Sequence, residues 1–377
     1  AADQSGFRDA YGGEAEVVGP WKGKLSNSGE ELRLEDAEGL LVDRVAYADQ
    51  GDWALRERSQ GGGLSRRARW QGGGSRSFRR SISAGWVWES SADGEGSSLE
   101  LINPSVSNNL GTNWLPSKRQ DGSPGRRNTV FASETAPLIA EVRHHPPVPK
   151  PNHPVVIVAS IEDERPGDIT ATVRWRESGS NGGDESFQSA PMQHTGKGRY
   201  RANLPGHRNR TIIEFYVEAS DGRSKRTWPA ATNIGQASNA LYQVDKEVNR
   251  TVMGYYRLIM TEQEMDQFES LYAHSNAQMN TTLIADDGSG PIIRYQCGTR
   301  VRGAGSRNNR PRPMRVNIPR DKPWENRYRM NLNSVYTWLQ FIGMKLFQAS
   351  DLPAPETMAV QVRLNGEKNT RNSSSDY

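Results

Sequence analysis

Arg300, Arg302, Arg307, Arg310, Arg312 and Arg315 crowd residues 300–315, a stretch that also holds Gly303 and Gly305. A guanidinium presents a planar fork of N–H donors that fits phosphate oxygens two at a time. A glycine turn lets backbone N–H groups approach an anion. The pattern points to phosphate binding. It also suits a solvated basic turn whose arginines pair with acids on neighbouring elements, and the sequence leaves both readings open.

Other chemistry-bearing residues are sparse. His144, His145 and His153 lie close together, but prolines separate them and no acid or cysteine stands beside them, so no metal site is expected. His194, His207 and His274 stand alone. There is no Ser-His-Asp order and no Walker-type loop, so no catalytic residue is assigned. Residues 56–85 carry two GGG runs, eight arginines from Arg56 to Arg80, Trp70 and Phe78, against the single acid Glu57. Arginine with interleaved aromatics is a nucleic-acid-binding composition. The segment equally reads as a flexible surface loop, because it cannot build a core. We adopt the loop reading and expect no nucleic-acid partner.

Composition bounds the elements that must position these residues. Hydrophobic residues make up 34% of 377, with 37 Gly and 21 Pro, which favours short strands and turns over a helix bundle. Lys and Arg (48) nearly balance Asp and Glu (44), so the net charge of +4 does not make the chain a polycation. Cys297 is the only cysteine, which excludes an intramolecular disulfide and a Cys-based zinc site. No apolar run reaches the roughly 18 residues of a membrane helix. Nothing at the start reads as a signal peptide.

Periodicity divides the chain. In residues 1–130, Glu31 to Glu35 alternates as a half-buried strand, and Leu41, Val45 and Tyr47 share a face of its hairpin partner. Ser98 to Leu101 adds a short strand. The span 131–153 ends in His144-His145-Pro146-Pro147-Val148-Pro149-Lys150-Pro151 and reads as a proline-stiffened linker. Over 154–247 the alternation is cleanest. Ile169, Ala171, Val173 and Trp175 share one face, as do Tyr200, Ala202 and Leu204, and Ile213, Phe215, Val217 and Ala219. Such strands predict an antiparallel sandwich. From residue 250 the pattern turns α+β. Thr261 to Glu264 forms a capping box before a helix, and 291–319 reads as two strands around the arginine turn. The span 334–349 reads as a helix with Trp338, Phe341, Ile342 and Leu346 facing inward. Val360, Val362 and Leu364 run into the hairpin turn Asn365-Gly366.

Three segments carry family resemblances. Gly23 to Glu30, the hairpin ending at Tyr47, Ser98 to Ile102, Asn113-Trp114 and Gly122 to Gly125 resemble the second half of a lamin-tail domain, an immunoglobulin-like sandwich. Val142 to Gly222 resembles an immunoglobulin- or fibronectin-like spacer. Val301-Arg302-Gly303-Ala304-Gly305-Ser306-Arg307, Met314 to Ile318, Asn331 to Ser334, and Leu352-Pro353-Ala354-Pro355 through Asn365-Gly366-Glu367 resemble, in order, the N-terminal part of the spore-coat CotH kinase family. Those matches place Arg302, Arg307 and Arg315 at the phosphate-binding turn. The departures are Asn309 to Pro313 in place of a Lys pair, and Lys368 to Ser375 where a Gly-aromatic strand is usual.

The resemblances together imply a multidomain fold. They give a partial lamin-tail-like sandwich over 1–130 with its insert at 56–85, a linker at 131–153, an Ig/fibronectin-like sandwich over 154–247, and the first part of a kinase-like α+β domain over 250–377. They imply a fragment, cut at both ends, of an exported or cell-surface bacterial protein. Its partner would be a protein substrate or an extracellular ligand, with the sandwiches as spacers or adhesion units. The parent domain would use ATP and magnesium, while this stretch would hold no cofactor and would be inactive by itself, the family's catalytic and metal-binding acids lying beyond Tyr377. The alternative is a non-catalytic surface protein with a degenerate domain.

Overall fold

A computed structural model of the chain describes residues 3–12, 16–17, 19–20, 22–59, 85–179, 186–247, 253–271 and 275–369. Gln60 to Ala84, most of the Arg/Gly insert, lies outside them, as do Tyr272, His274 and Thr370 to Tyr377.

The N-terminal region is assembled from small pieces. Helix α1 (Gln4–Tyr11) is N-capped by Asp3, whose carboxylate accepts from Gly6 N at 3.0 Å. Three two-stranded antiparallel sheets follow: β1 (Gly29–Glu35) with β2 (Leu41–Ala48), β3 (Leu55–Arg58) with β4 (Trp86–Glu89), and β5 (Leu99–Leu101) with β6 (Trp114–Pro116). The β1–β2 hairpin matches the sequence expectation in position, but not in burial. Leu32, Leu34, Leu40, Leu41 and Val42 are all exposed. The alternation is real, and nothing among the described residues covers its apolar face.

The middle region is β7 (Leu138–His145), β8 (Val155–Glu162), β9 (Thr170–Glu177), β10 (Gln188–Pro191), β11 (Gln193–Gly196), β12 (Arg199–Leu204), β13 (Ile212–Ser220), β14 (Lys225–Trp228) and β15 (Ala240–Gln243). One sheet runs β11-β12-β8-β7; the other runs β10-β9-β13-β14, with β15 also pairing β13. Their inward side chains form a single core that includes Ile157, Val173, Trp175, Leu204, Phe215 and Tyr242. The faces read from the sequence are the faces that are buried. Two features differ. Leu138–His145 lies in the span read as a linker, yet it is a core strand, with Ile139 and Val142 inside. A bulge between Ala140 and Arg143 breaks its alternation, and Glu141 sits at φ +50°, so period two fails there. The outward face of β13 is also buried: Arg176 and Asn239 hold Glu214, the Phe187 ring lies against Tyr216, and Ile212 meets another sheet.

That sheet is the third region. It comprises β16 (Gly254–Ile259), β17 (Met279–Asp286), β18 (Ile292–Val301), β19 (Met314–Asn317), β20 (Arg329–Leu332), β21 (Val360–Leu364) and β22 (Glu367–Lys368) in the order β20-β19-β18-β17-β16-β21-β22. Only the β16–β21 pair is parallel. Helix α2 (Glu262–Ser270) follows β16 and helix α3 (Thr337–Ala349) precedes β21. Ile212 and Leu241 of the middle region meet Ile259 and Ile284 of this sheet in a small cluster of their own. Polar contacts reinforce it. Arg257 pairs with the buried Asp245, and Gln243 Nε2 donates to Asn365 O at 2.9 Å. His144 is the sharpest example: its backbone N–H donates to Tyr295 Oη at 3.1 Å, while its ring bridges Tyr295 Oη (2.6 Å) and Pro147 O (3.0 Å). A carbonyl only accepts, so Nε2 carries the proton and Nδ1 accepts from the tyrosine.

The N-terminal region is clamped onto the same sheet. Arg56, read as part of a loose insert, is buried and donates to the carbonyls of Gln296 and Cys297. Arg58 pairs with Glu264 at 2.5 Å. The sequence places Glu264 in a capping box, and half of the box forms: Thr261 Oγ accepts from Glu264 N at 3.2 Å. The Glu264 carboxylate faces elsewhere, accepting from Trp86 Nε1 (2.7 Å) and Asn280 N (3.0 Å).

Candidate functional site

The sequence singled out the turn between β18 and β19. The structure places a short 3-10 turn there, Gly305–Asn308. Gly303 sits at φ +100°, where a Cβ would meet Ser306 Oγ at 2.2 Å, so the turn requires glycine at that point. Arg307 is spent on holding this turn. It donates to Gly303 O (2.7 Å), Ser275 O (3.0 Å) and Asn276 Oδ1 (2.8 Å). Arg312 is buried and donates to Glu269 O (2.9 Å) and Leu271 O (2.8 Å), satisfying carbonyls at the end of α2. Arg310 lies 3.8 Å from Glu269. Of these three only Arg310 meets an acid on a neighbouring element; Arg307 and Arg312 are committed to carbonyl and amide oxygens.

The other three differ. β18 and β19 pair so that Arg300 lies directly opposite Arg315, and Arg315 lies opposite Asn331 on β20. Arg329, two residues before Asn331, falls on the same face, opposite Asn317. Arg302 continues from the end of β18 and hydrogen-bonds Asn333. Like charges directly opposite each other on a sheet are destabilising. Among the described residues no acid forms an ion pair with Arg300, Arg302, Arg315 or Arg329. Burial, followed by the mutual repulsion of Arg315, Arg307 and Arg302, pulls Arg300 below the usual guanidinium range. Burial, then Arg329 and Arg302, does the same to Arg315. Asparagine and amide neighbours supply acceptors without charge: Arg315 Nε donates to Asn317 Oδ1 at 3.1 Å, and Arg300 to Asn276 Oδ1 at 3.3 Å.

This arginine ladder runs to the mouth of a hollow of about 620 Å³ between β20 and α3. Arg302 and Arg329 line the mouth, and Tyr256, Trp324, Trp338 and Phe341 contribute aromatic walls. Two lining residues keep a buried polar atom without a partner, Trp324 Nε1 and Thr357 Oγ1. The lining thus combines aromatic surface with charge of both signs, Arg327 being paired with Glu325 and Glu356.

Of the three residues assigned from sequence, the structure brings Arg302 and Arg315 to one surface and commits Arg307 to the turn. Sequence reasoning missed Arg329. The available signal was the strand register: Arg329-Met330-Asn331 alternates, and pairing it with Met314 to Asn317 aligns Arg329 with the other arginines. The three histidines near residue 150 do not converge, since His144 is a buried structural bridge and His153 bonds Pro151 O. Among the described residues no group of His, Cys, Asp and Glu could hold a metal, and no helix is long and apolar enough to cross a membrane.

No family model and no curated protein matches the chain. Among solved structures, an uncharacterized Listeria monocytogenes protein in complex with α-D-glucose, β-D-glucose, magnesium and calcium is similar at 11% identity and TM-score 0.20, over 46% of this chain and 13% of that one. A cycloalternan-forming enzyme from Listeria monocytogenes with a pentasaccharide substrate is similar at 10% identity and TM-score 0.20, over 47% of this chain and 18% of that one. The chain thus spans less than a fifth of either, and likeness at that level carries no conclusion about its function.

Proposed function

We propose that residues 250–369 act as the nucleotide-facing part of a CotH-like atypical kinase or pseudokinase domain, carried on β-sandwich modules of an exported or cell-surface protein. The sandwiches, the middle one immunoglobulin-like in this reading, serve as spacer or adhesion units. ATP with magnesium is the ligand of the whole domain, its phosphates lying on Arg300, Arg302, Arg315 and Arg329. The observation that carries this reading is the ladder itself: cross-strand arginines without a carboxylate partner fit a site whose counter-charge is an anion. The second reading, a non-catalytic surface protein that keeps the anion site, rests on the same ladder and differs only in turnover.

Titration calorimetry with ATP and magnesium, and with inorganic triphosphate, tests it. Arg302→Ala and Arg315→Ala should each weaken binding by about 1.5–3 kcal/mol, the worth of a hydrogen bond to a charged group. Arg307→Ala should lower the melting temperature first, because its bonds hold the turn. Unchanged affinity in both ladder variants would remove the assignment. Phosphate transfer to a protein acceptor by residues 1–377 alone would overturn the expectation that this stretch lacks turnover.

A further inference from the structure

Strand β20 is an end strand of the seven-stranded sheet. Its pairing gives the direction of its main-chain groups. Ile318 N donates to Tyr328 O at 2.8 Å, so residues 318 and 328 form a hydrogen-bonded pair. Such pairs alternate along an antiparallel ladder. Met330 and Leu332 therefore bond back to Val316 and Met314, and the N–H and C=O groups of Arg329 and Asn331 point outward. No strand among the described residues takes them up, and both residues are exposed. All four residues of β20 line the hollow, whichever face their side chains take, so the hollow lies along the edge itself. The two faces beside that edge differ. Arg329 and Asn331 lie on the ladder face, and Arg329 has no acid partner among the described residues. Met330 and Leu332 belong to the apolar face, and Trp338, Phe341 and Met344 of α3 line the far side of the hollow. Trp324 lines it too; the residue is 2% exposed and its Nε1 has no partner.

We propose that the edge of β20 takes an extended peptide in which acidic and apolar residues alternate, added antiparallel as a further strand. An open edge selects extended backbone, because only that presents N–H and C=O groups at the matching spacing. In antiparallel addition, the peptide residues bonded to Arg329 and Asn331 stand directly opposite them and share their face. An acid there forms a cross-strand pair with Arg329 at the uncompensated end of the ladder. The peptide residues in between point to the Met330 side and enter the hollow, where the α3 rings receive apolar groups. At about 620 Å³ the hollow has the size of a ligand-holding pocket. The inference goes beyond the nucleotide reading: its bonds are to main-chain groups that reading does not use, and Arg329 is the shared residue.

Fluorescence anisotropy on the whole chain tests it. The probe is a labelled peptide of about eight residues alternating Glu and Val, enough to cover a strand of ~13 Å. It should bind saturably, and a peptide of the same composition with Glu and Val in two blocks should bind at least ten-fold more weakly. N-methylation at the Glu positions should abolish binding, because those N–H groups face β20. N-methylation at the Val positions should not. Asn331→Pro removes one outward N–H, breaks no bond to β19 and leaves the ladder arginines in place. Peptide affinity should then fall at least ten-fold while the melting temperature holds. Arg329→Glu should weaken the Glu peptide and admit its Lys counterpart. No saturable binding up to about 1 mM overturns the proposal. So does equal affinity of the two N-methylated peptides, which would mean that the charges bind without the edge. ATP is titrated into the same samples, so failure of the nucleotide site and failure of the edge are read separately.

Discussion

Strand β13 and helix α3 are both strongly apolar, and their fates are opposite. β13 is covered on one face by the β7-β8-β12 sheet and on the other by Arg176, Phe187 and Asn239, with the seven-stranded sheet reaching Ile212. α3 has no buried residue. Periodicity read from sequence shows that a face requires cover. It does not say what supplies the cover, or whether the supplier lies in the same chain. For the inward face of the middle strands the covering layer is local, so the expectation and the burial agree there.

The largest effect that sharpens this contrast lies in the core. Phe215→Ala should cost about 3–5 kcal/mol in urea unfolding, because a fully buried ring leaves a cavity. Leu346→Ala, measured at dilute concentration, should stay within ~0.5 kcal/mol. Equal costs would mean that α3 is packed after all.

Glu264→Ala comes next. It removes the partner of Arg58 Nη1, Trp86 Nε1 and Asn280 N together, leaving Arg58 only Gln267. Breaking such a pair should cost about 3 kcal/mol, and hydrogen exchange should rise first in residues 55–58 and 86–89. Exchange spread evenly over the chain would show that the N-terminal region is not held by this clamp.

The smallest effect is electrostatic. Asp321 lies where three regions meet: its Oδ2 accepts from Asp52 N at 3.0 Å, and Asp52 Oδ1 accepts from Trp228 Nε1 at 3.1 Å. Burial pushes the Asp321 carboxyl up to about 6; Lys322 pulls it down, and Asp52 pushes it up. Because the folded pKa lies above the ordinary 3.8, the folded state binds the extra proton. That stabilisation is full below about pH 4 and is lost as pH rises through about 6. The melting temperature should therefore gain less from acidification in Asp321→Asn than in the parent. Identical profiles would place the titration elsewhere.

Much of the fold was legible because its patterns are local. Strands β9, β12 and β13 follow from alternation, and the β21–β22 turn from Asn365-Gly366, both at positive φ. β7 was hidden by its bulge and by the prolines after it. Glu214 looked like a solvent residue, yet it is held inside by Arg176 and Asn239, both at 2.8 Å. Composition made Arg56 look like loop, whereas its role depends on carbonyls far along the chain. The candidate site was half visible. Arg302 and Arg315 were found by crowding around glycine, but their convergence with Arg329 is a matter of register, which no single segment encodes.

The clamp of Arg56 on Gln296 O joins residues 240 apart in sequence. During synthesis at about 5–20 residues per second, the N-terminal strands wait roughly 12–48 s before that acceptor exists. Arg58 and Trp86 wait for Glu264, 206 and 178 residues further on. The β3–β4 pair is thus secured only once residues some 240 further along the chain have been made.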